Sequence, residues 1–100
     1  MKTSETWRED HEEMRDVEFT PDAEADLARS DTHIRERVFK KLRWLAENFD
    51  VVKPEALAGE WRGVFKLRVG DHRVLYTFDR TKQKIIVHFV RHRREVYKIP

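Results

Sequence analysis

Apolar and polar residues follow a helical period between residues 34 and 49. The apolar positions are spaced by four, four, three and four residues, at Ile34, Val38, Leu42, Leu45 and Phe49. This spacing places them on one side of an α-helix, for which Asp31 or Thr32 is a suitable N-cap. Phe39, Trp44 and Ala46 widen the stripe. The pattern predicts a helix that covers a sheet, with core packing favoured over partner docking for Phe39 and Trp44.

A strand and a first helix are predicted before this segment. Val17–Thr20 alternates between apolar and polar residues, as a short strand does. Thr20 is a good helix cap, Pro21 fits the first helical position, and acidic residues follow in the first turn. We expect this helix to run to about residue 29. The side chains expected to face inward are Ala23, Leu27 and Ala28.

Three further strands are predicted in the second half of the chain. Val64–Val69 and Arg73–Phe78 alternate on either side of a glycine turn, as in a hairpin. Ile85–Val90 is almost wholly apolar, as a central strand covered on both faces would be. Residues 53–59 form a connector in which Pro54 ends the second helix. The predicted order is β-α-α-β-β-β, an α+β fold with two N-terminal helices packed on a small antiparallel sheet.

The chain has 100 residues, enough for one domain with one modest core. Residues 1–15 are polar and acidic and form an extension that could be helical, whereas residues 16–100 form the domain. We expect no secretory signal and no membrane span, because no apolar run is long enough for either. The chain has no cysteine, which excludes disulfides and thiolate metal sites. We therefore expect a cytoplasmic protein without a cofactor, in which a metal could be held only through histidine.

The net charge of +2 conceals a sharp division along the chain. Residues 1–60 contain 10 Lys and Arg against 16 Asp and Glu, whereas residues 61–100 contain 11 against 3. The basic part should attract a polyanion such as nucleic acid. Strands also carry cations on solvated faces without any binding role. The charge pattern alone leaves both interpretations open.

Cations cluster where the predicted strands begin and end. The cations are Lys66, Arg68, Arg73, Arg91, Arg93 and Arg94, and His92 lies among them. In a meander they can converge on one surface, and guanidinium groups match the geometry of phosphate oxygens. His88 and His92 would lie about 13 Å apart along an extended strand. A metal ion shared by these two histidines is therefore not expected, and His88 should have a local partner.

Two stretches of the sequence resemble the RelE/ParE family of toxins. Residues 57–76, LAGEWRGVFKLRVGDHRVLY, are similar to the family's leucine-glycine turn, its strand ending Leu-Arg-x-Gly, and its tight turn into Arg-Val-x-Tyr. Residues 90–97, VRHRREVY, are similar to its C-terminal His-Arg-x-x-x-Tyr signature. The resemblance covers about residues 17–98 and implies the same β-α-α-β-β-β fold.

The resemblance implies an activity and a set of site residues. RelE-like members cut messenger RNA in the ribosomal A site, where a ribose 2′-hydroxyl attacks the adjacent phosphate. The positions that match residues implicated in catalysis are Lys66, Arg73, Arg91 and Tyr97. Arg68 and Arg93 match RNA-binding positions, and we expect the adjacent Arg94 to bind RNA with them. The resemblance also implies an acidic antitoxin as partner, the ribosome and mRNA as targets, and no membrane.

One position departs from the family pattern. RelE-type enzymes carry a lysine two residues before the position of Lys66, and here that residue is Val64. A substitute base is then needed, and His92, or less favourably His72, could accept the 2′-hydroxyl proton. Two alternatives stay open. ParE-like members inhibit DNA gyrase and have lost the catalytic set, and a non-catalytic RNA-binding module could retain the fold.

Overall fold

The computed structural model describes residues 15–57 and 63–96. Within these ranges the elements are β1 (Asp16–Phe19), α1 (Pro21–Arg29), α2 (Thr32–Glu47), β2 (Glu55–Ala56), β3 (Phe65–Val69), β4 (His72–Asp79) and β5 (Lys84–His92). The strands form one sheet in the order β1-β5-β4-β3-β2, and both helices pack on the same face of it. Nearly all of the predicted extension, residues 1–14, lies outside the described residues.

Both helices begin at the predicted caps. The Thr20 Oγ1 accepts the Ala23 N–H at 3.2 Å, and the Asp31 carboxylate accepts the Ile34 N–H at 2.9 Å. The end of α2 differs from the prediction, because Asn48 is the C-cap and the helix ends at Glu47, well before Pro54. The Asn48 side chain donates to the Trp44 carbonyl at 2.8 Å, which satisfies one carbonyl of the last turn.

The α+β fold class is confirmed, but the sheet is mixed and has five strands. β1 runs parallel to β5, and β2 pairs antiparallel with β3 at the opposite edge. The chain leaves the sheet at β1, crosses one face through α1 and α2, and re-enters at β2. This crossing sets the direction of β1, so the prediction of a wholly antiparallel sheet was wrong for that strand. The sequence pattern also gave no indication of the two-residue β2.

The main core lies between the helices and one face of the sheet. Val38, Leu42 and Leu45 of α2 are fully buried, and each such side chain stabilises the fold by about 1.5–3 kcal/mol. Phe39 is half-buried and packs edge-on against Phe19, with ring centres 5.7 Å apart, as core packing predicted. Trp44 is 42% exposed, so its assignment to the core was wrong.

On α1 the inward positions differ from the prediction at one place. Ala23 and Leu27 are buried as expected. Ala28 is exposed, and the third buried residue of the helix is Asp26. A carboxylate in this position needs hydrogen-bond donors, because burying an unpartnered charge is strongly unfavourable. Its donors are the Val90 N–H and Arg91 of β5 and Arg29 of the same helix.

The second face of the sheet carries a smaller apolar cluster. Leu57, Leu75 and Val96 are buried together there. β5 contains one extra residue, His88, because Leu75 pairs with Phe89 and the next residue of β4 pairs with Val87. His88 Nε2 lies 2.8 Å from the Thr77 hydroxyl, which is the local partner expected for it. Neither described helix is long and apolar enough to cross a bilayer.

Candidate functional site

Three arginines form one row across the sheet, beside the β3–β4 turn. Arg68 lies opposite Arg73, and Arg73 lies opposite Arg91. Directly paired residues of antiparallel strands share a face and have Cβ atoms about 5 Å apart. Leu67 and Val69, the neighbours of Arg68 in β3, belong to the helix-covered core. The arginine row therefore lies on the other face, where the structure brings together three of the predicted site residues.

Lys66 lies on the same face as the arginine row, two residues from Arg68. Its ammonium group is 3.4 Å from the Glu55 carboxylate, which also accepts from Arg68 at 3.3 Å. Partial desolvation acts to raise the pKa of Glu55, but the two cations outweigh this effect and lower the pKa. Glu55 is thus part of the site, and the sequence analysis missed it because β2 was not predicted.

An apolar floor lies beside the arginine row. Leu75 and Phe89 are the next paired residues on this face, and they pack with Leu57 and Val96. Val64 also packs against this cluster. The position at which RelE-type enzymes carry a lysine therefore contributes an apolar side chain to the floor.

Arg91 is held by a carboxylate that the sequence analysis missed. Its Nε donates to Asp26 Oδ2 at 2.9 Å, and its guanidinium carbon lies 5.2 Å from the centre of the Phe89 ring. Asp26 is only 3% exposed. One signal in the sequence pointed to it, since this acid lies on the apolar side of α1 between Ala23 and Leu27.

Arg73, in the centre of the row, has only carbonyl partners. Its Nη1 donates to the carbonyls of Gly70, at 3.0 Å, and His72, at 2.9 Å. No acidic side chain of the described residues forms an ion pair with Arg73, in contrast to Arg68 and Arg91. Its positive charge is thus the one in the row that the described residues leave unneutralised.

His92 pairs with a second histidine. It lies opposite His72, their rings are 5.5 Å apart edge to face, and His92 Nδ1 accepts the Arg94 N–H at 3.1 Å. Partial burial and then the neighbouring His92 lower the pKa of His72. Because strand residues alternate between faces, both rings lie on the helix-covered face. The structure brings His92 to the same end of the sheet as Arg91, but not to the face of the arginine row.

The remaining predicted residues follow β5. Arg93 and Arg94 are exposed in the turn after the strand. The backbone N–H of Arg93 donates to the Asp71 carbonyl at 2.8 Å, which ties this turn to the β3–β4 turn. Both arginines therefore lie near the end of the arginine row without pairing into it. Tyr97 lies outside the described residues.

A second cationic surface borders the site at Arg68. It is a groove of about 460 Å³ between α2 and the edge of β3, lined by Arg37, Lys40, Lys41, Trp44, Arg68, Val69 and Gly70. The Lys41 ammonium lies 4.2 Å from the centre of the Trp44 ring. The Arg37 guanidinium covers Gly70, which has a φ of +60° and where a Cβ would lie 2.7 Å from Nη2. The groove extends the positive surface from the sheet to the helix.

Comparison with known proteins identifies the family. Residues 17–97 match the family model described as the ParE toxin of the type II toxin–antitoxin system parDE. No curated protein sequence is significantly similar to this chain.

Solved structures of toxins share the fold. A chain of the RelBE2 toxin–antitoxin complex from Mycobacterium tuberculosis has a TM-score of 0.71 and 26% identity, over 79% of this chain and 98% of that one. The isolated RelE toxin of E. coli has a TM-score of 0.67 and 23% identity, over 84% and 92%. The YoeB/ParE toxin of Agrobacterium tumefaciens has a TM-score of 0.64 and 23% identity, over 76% of this chain and 95% of that one. The chain therefore belongs to the RelE/ParE family of type II toxin–antitoxin toxins.

Proposed function

We propose that this toxin is an endoribonuclease that cuts messenger RNA in the ribosomal A site and so inhibits translation. The observation that supports this proposal most is the arginine row, with Lys66 and the apolar floor beside it. Three guanidinium groups on one face offer N–H donors in the forked geometry that matches phosphate oxygens. The resemblance to RelE-like toxins supplies the reaction.

The proposed reaction is an internal transesterification. The 2′-oxygen attacks the adjacent phosphorus, the bond from phosphorus to the 5′-oxygen breaks, and the products are a 2′,3′-cyclic phosphate and a 5′-hydroxyl. Arg73 and Arg91 stabilise the negative charge that develops on the phosphate oxygens. Arg73 suits this role because no acid of the described residues neutralises it. Lys66 supports the same charge from the adjacent position, and Arg68, Arg93 and Arg94 bind the RNA backbone.

The residues proposed for proton transfer lie at and after the end of β5. We propose that His92 accepts the 2′-hydroxyl proton and that Tyr97 stacks on a base or assists transfer to the leaving oxygen. Since His92 and Arg91 lie on opposite faces, the phosphate would lie on the arginine row and the ribose beyond the end of the strand. Val64 cannot serve, because its side chain is apolar and belongs to the floor.

The proposal includes an antitoxin. Several structural neighbours are toxin–antitoxin complexes, among them RelBE assemblies from Mycobacterium tuberculosis and Methanococcus jannaschii. We propose that an acidic antitoxin binds this chain and covers its cationic surfaces, as charge complementarity favours. Ribosome and mRNA as targets place the toxin in the cytoplasm.

A second function is favoured by the name of the matching family model, which describes ParE toxins. ParE-like members inhibit DNA gyrase and are binding proteins rather than nucleases. The two functions make opposite predictions for purified protein. A gyrase inhibitor blocks supercoiling and leaves ribosome-bound mRNA intact, whereas a non-catalytic RNA-binding module neither blocks supercoiling nor cuts mRNA.

Mapping of mRNA ends after brief induction in cells tests the proposed function. New 5′ ends should appear within translated codons and should disappear when translation initiation is blocked beforehand. Ends that persist without translation would rule out a ribosome-dependent enzyme. A transcriptome without new ends would rule out the nuclease.

A further inference from the structure

Asp26 combines deep burial with a charge. It is the one charged residue of the described ranges that is buried, at 3% exposure. A neutral residue would fill the same position on α1 without the cost of desolvating a carboxylate. The partners of Asp26 therefore indicate what the charge does.

One partner is backbone. β1 ends at Phe19, and Thr20 makes the last contacts of this segment with β5, to the carbonyls of Val87 and His88. The next N–H on that edge, of Val90, would have no strand to pair with. Asp26 Oδ2 accepts it at 2.9 Å, so the carboxylate takes the place of the strand that has ended.

The other partners are two arginines. Oδ2 also accepts from the Nε of Arg91, and Oδ1 accepts from the largely exposed Arg29. Because Asp26 takes only the Nε of Arg91, both terminal amino groups stay available, and no acceptor within the described residues contacts them. The Phe89 ring lies 5.2 Å below the guanidinium carbon. The Asp26 carboxylate holds the Arg91 guanidinium at Nε, and the Phe89 ring packs against its flat face, so the two together fix its orientation.

We infer that Asp26 is a positioning residue for catalysis, acting through Arg91. It holds the Arg91 guanidinium so that its terminal amino groups meet the scissile phosphate, while Arg29 pairs with the other oxygen of the same carboxylate. This inference rests on the proposed nuclease function. Such a role affects the chemical step more than substrate binding, since a small displacement of a catalytic group lowers its rate sharply.

A double-mutant cycle on ribosome-bound mRNA tests the inference. Asp26→Asn retains an acceptor for the Val90 N–H but loses the charge, and we expect kcat to fall on the order of 10–100-fold with KM little changed. In the Arg91→Ala background the same substitution should have no further effect, because Asp26 acts only through that arginine. Leu27→Ala, which removes a buried apolar side chain of α1 and neither charged group of the pair, is the control and should retain the wild-type kcat below its unfolding temperature.

A second measurement does not depend on the folding of Asp26→Asn. In Arg91→Ala the carboxylate stays in place, so added guanidinium ion should bind there and restore cleavage in a saturable manner. The same ion should not rescue Arg73→Ala, because Arg73 has carbonyl partners and no carboxylate.

The possible outcomes separate the inference from the function it rests on. Wild-type kcat in folded Asp26→Asn, or failure of guanidinium to rescue Arg91→Ala, would overturn the positioning role while wild-type cleavage upholds the nuclease. An additional loss from Asp26→Asn in the Arg91→Ala background would show a merely structural role. Absence of cleavage by the wild-type protein would overturn the proposed function, and the inference with it.

Discussion

The Lys66 ammonium group lies 3.4 Å from the Glu55 carboxylate at the edge of the arginine row. Glu55 also pairs with Arg68, so a single acid partly neutralises two cations of the site. A negative group beside a proposed phosphate site opposes phosphate binding. It also holds two flexible side chains in place, and the balance of these effects can be measured.

Glu55→Gln should strengthen RNA binding and make it more dependent on salt. Removal of the acid exposes a further cation to the RNA backbone, and each phosphate contact contributes about 0.7 to the slope of log affinity against log salt for a single strand. We expect the slope to steepen by up to about that amount in fluorescence anisotropy with a single-stranded RNA. An unchanged slope would contradict this role for Glu55.

The same ion pairs make stability depend on pH. The pKa of Glu55 is lowered from its ordinary value of 4.5, because its cationic neighbours outweigh partial desolvation. The carboxylate therefore contributes stability above the unfolded-state pKa, and this contribution is lost as the pH falls through the folded-state pKa. Wild type should be slightly more stable than Glu55→Gln at neutral pH and equal to it well below pH 4.5 in urea titrations. A constant difference across this range would contradict the assignment.

Tyr76 predicts a second pH effect, at the alkaline end. Burial raises the pKa of this phenol to about 12 from 10.0. The protonated phenol therefore contributes to the free energy of unfolding below pH 10. This contribution, about 2–3 kcal/mol in total, is lost as the pH rises towards 12. Unfolding of Tyr76→Phe should lack this loss when urea titrations at pH 9 and pH 11 are compared. Equal losses in both proteins would assign the effect to another group.

The two histidines distinguish the proposed base from its neighbour. His92→Gln should lower kcat for cleavage on the order of 10²–10⁴-fold, because it removes the group that accepts the 2′-hydroxyl proton. His72→Gln removes the paired ring and should change kcat little. Full activity of His92→Gln, or an equal loss in both variants, would exclude His92 as the base.

The groove beside α2 predicts a contribution to RNA binding that is separate from catalysis. Lys40 and Lys41 line it, and each should add about 0.7 to the salt slope if it contacts a phosphate. Lys40→Gln and Lys41→Gln should each reduce the slope and weaken binding. Arg43→Gln is the matched control, since Arg43 lies outside the groove and pairs with Glu47 at 3.6 Å. Equal effects of all three substitutions would mean that net charge alone matters.

Local patterns were sufficient to predict the helices and most of the sheet. The caps at Thr20 and Asp31 and the stripe of α2 depend on residues close in sequence, and the structure has them as expected. The parallel pairing of β1 with β5 joins residues almost 70 positions apart. Such a pairing depends on how the helices cross the sheet, for which a single strand's pattern contains no signal.

The site was predicted in the same uneven way. Alternation within β3 and the hairpin turn were enough to bring Arg68 and Arg73 together. The acids Glu55 and Asp26 were missed because they lie in the acid-rich half of the chain, where a carboxylate indicates solvent exposure. Their roles depend on tertiary contacts, and only the position of Asp26 on an apolar helix face indicated burial. The role of Tyr97 stays a prediction.

Cleavage of a defined mRNA on purified ribosomes tests the central claim most directly. Wild-type protein should produce fragments with a 2′,3′-cyclic phosphate and a 5′-hydroxyl only when the ribosome is present. Arg73→Ala should lower kcat on the order of 10²–10³-fold while its unfolding temperature stays close to that of wild type. Intact mRNA with the wild-type protein, or wild-type cleavage by Arg73→Ala, would contradict the account.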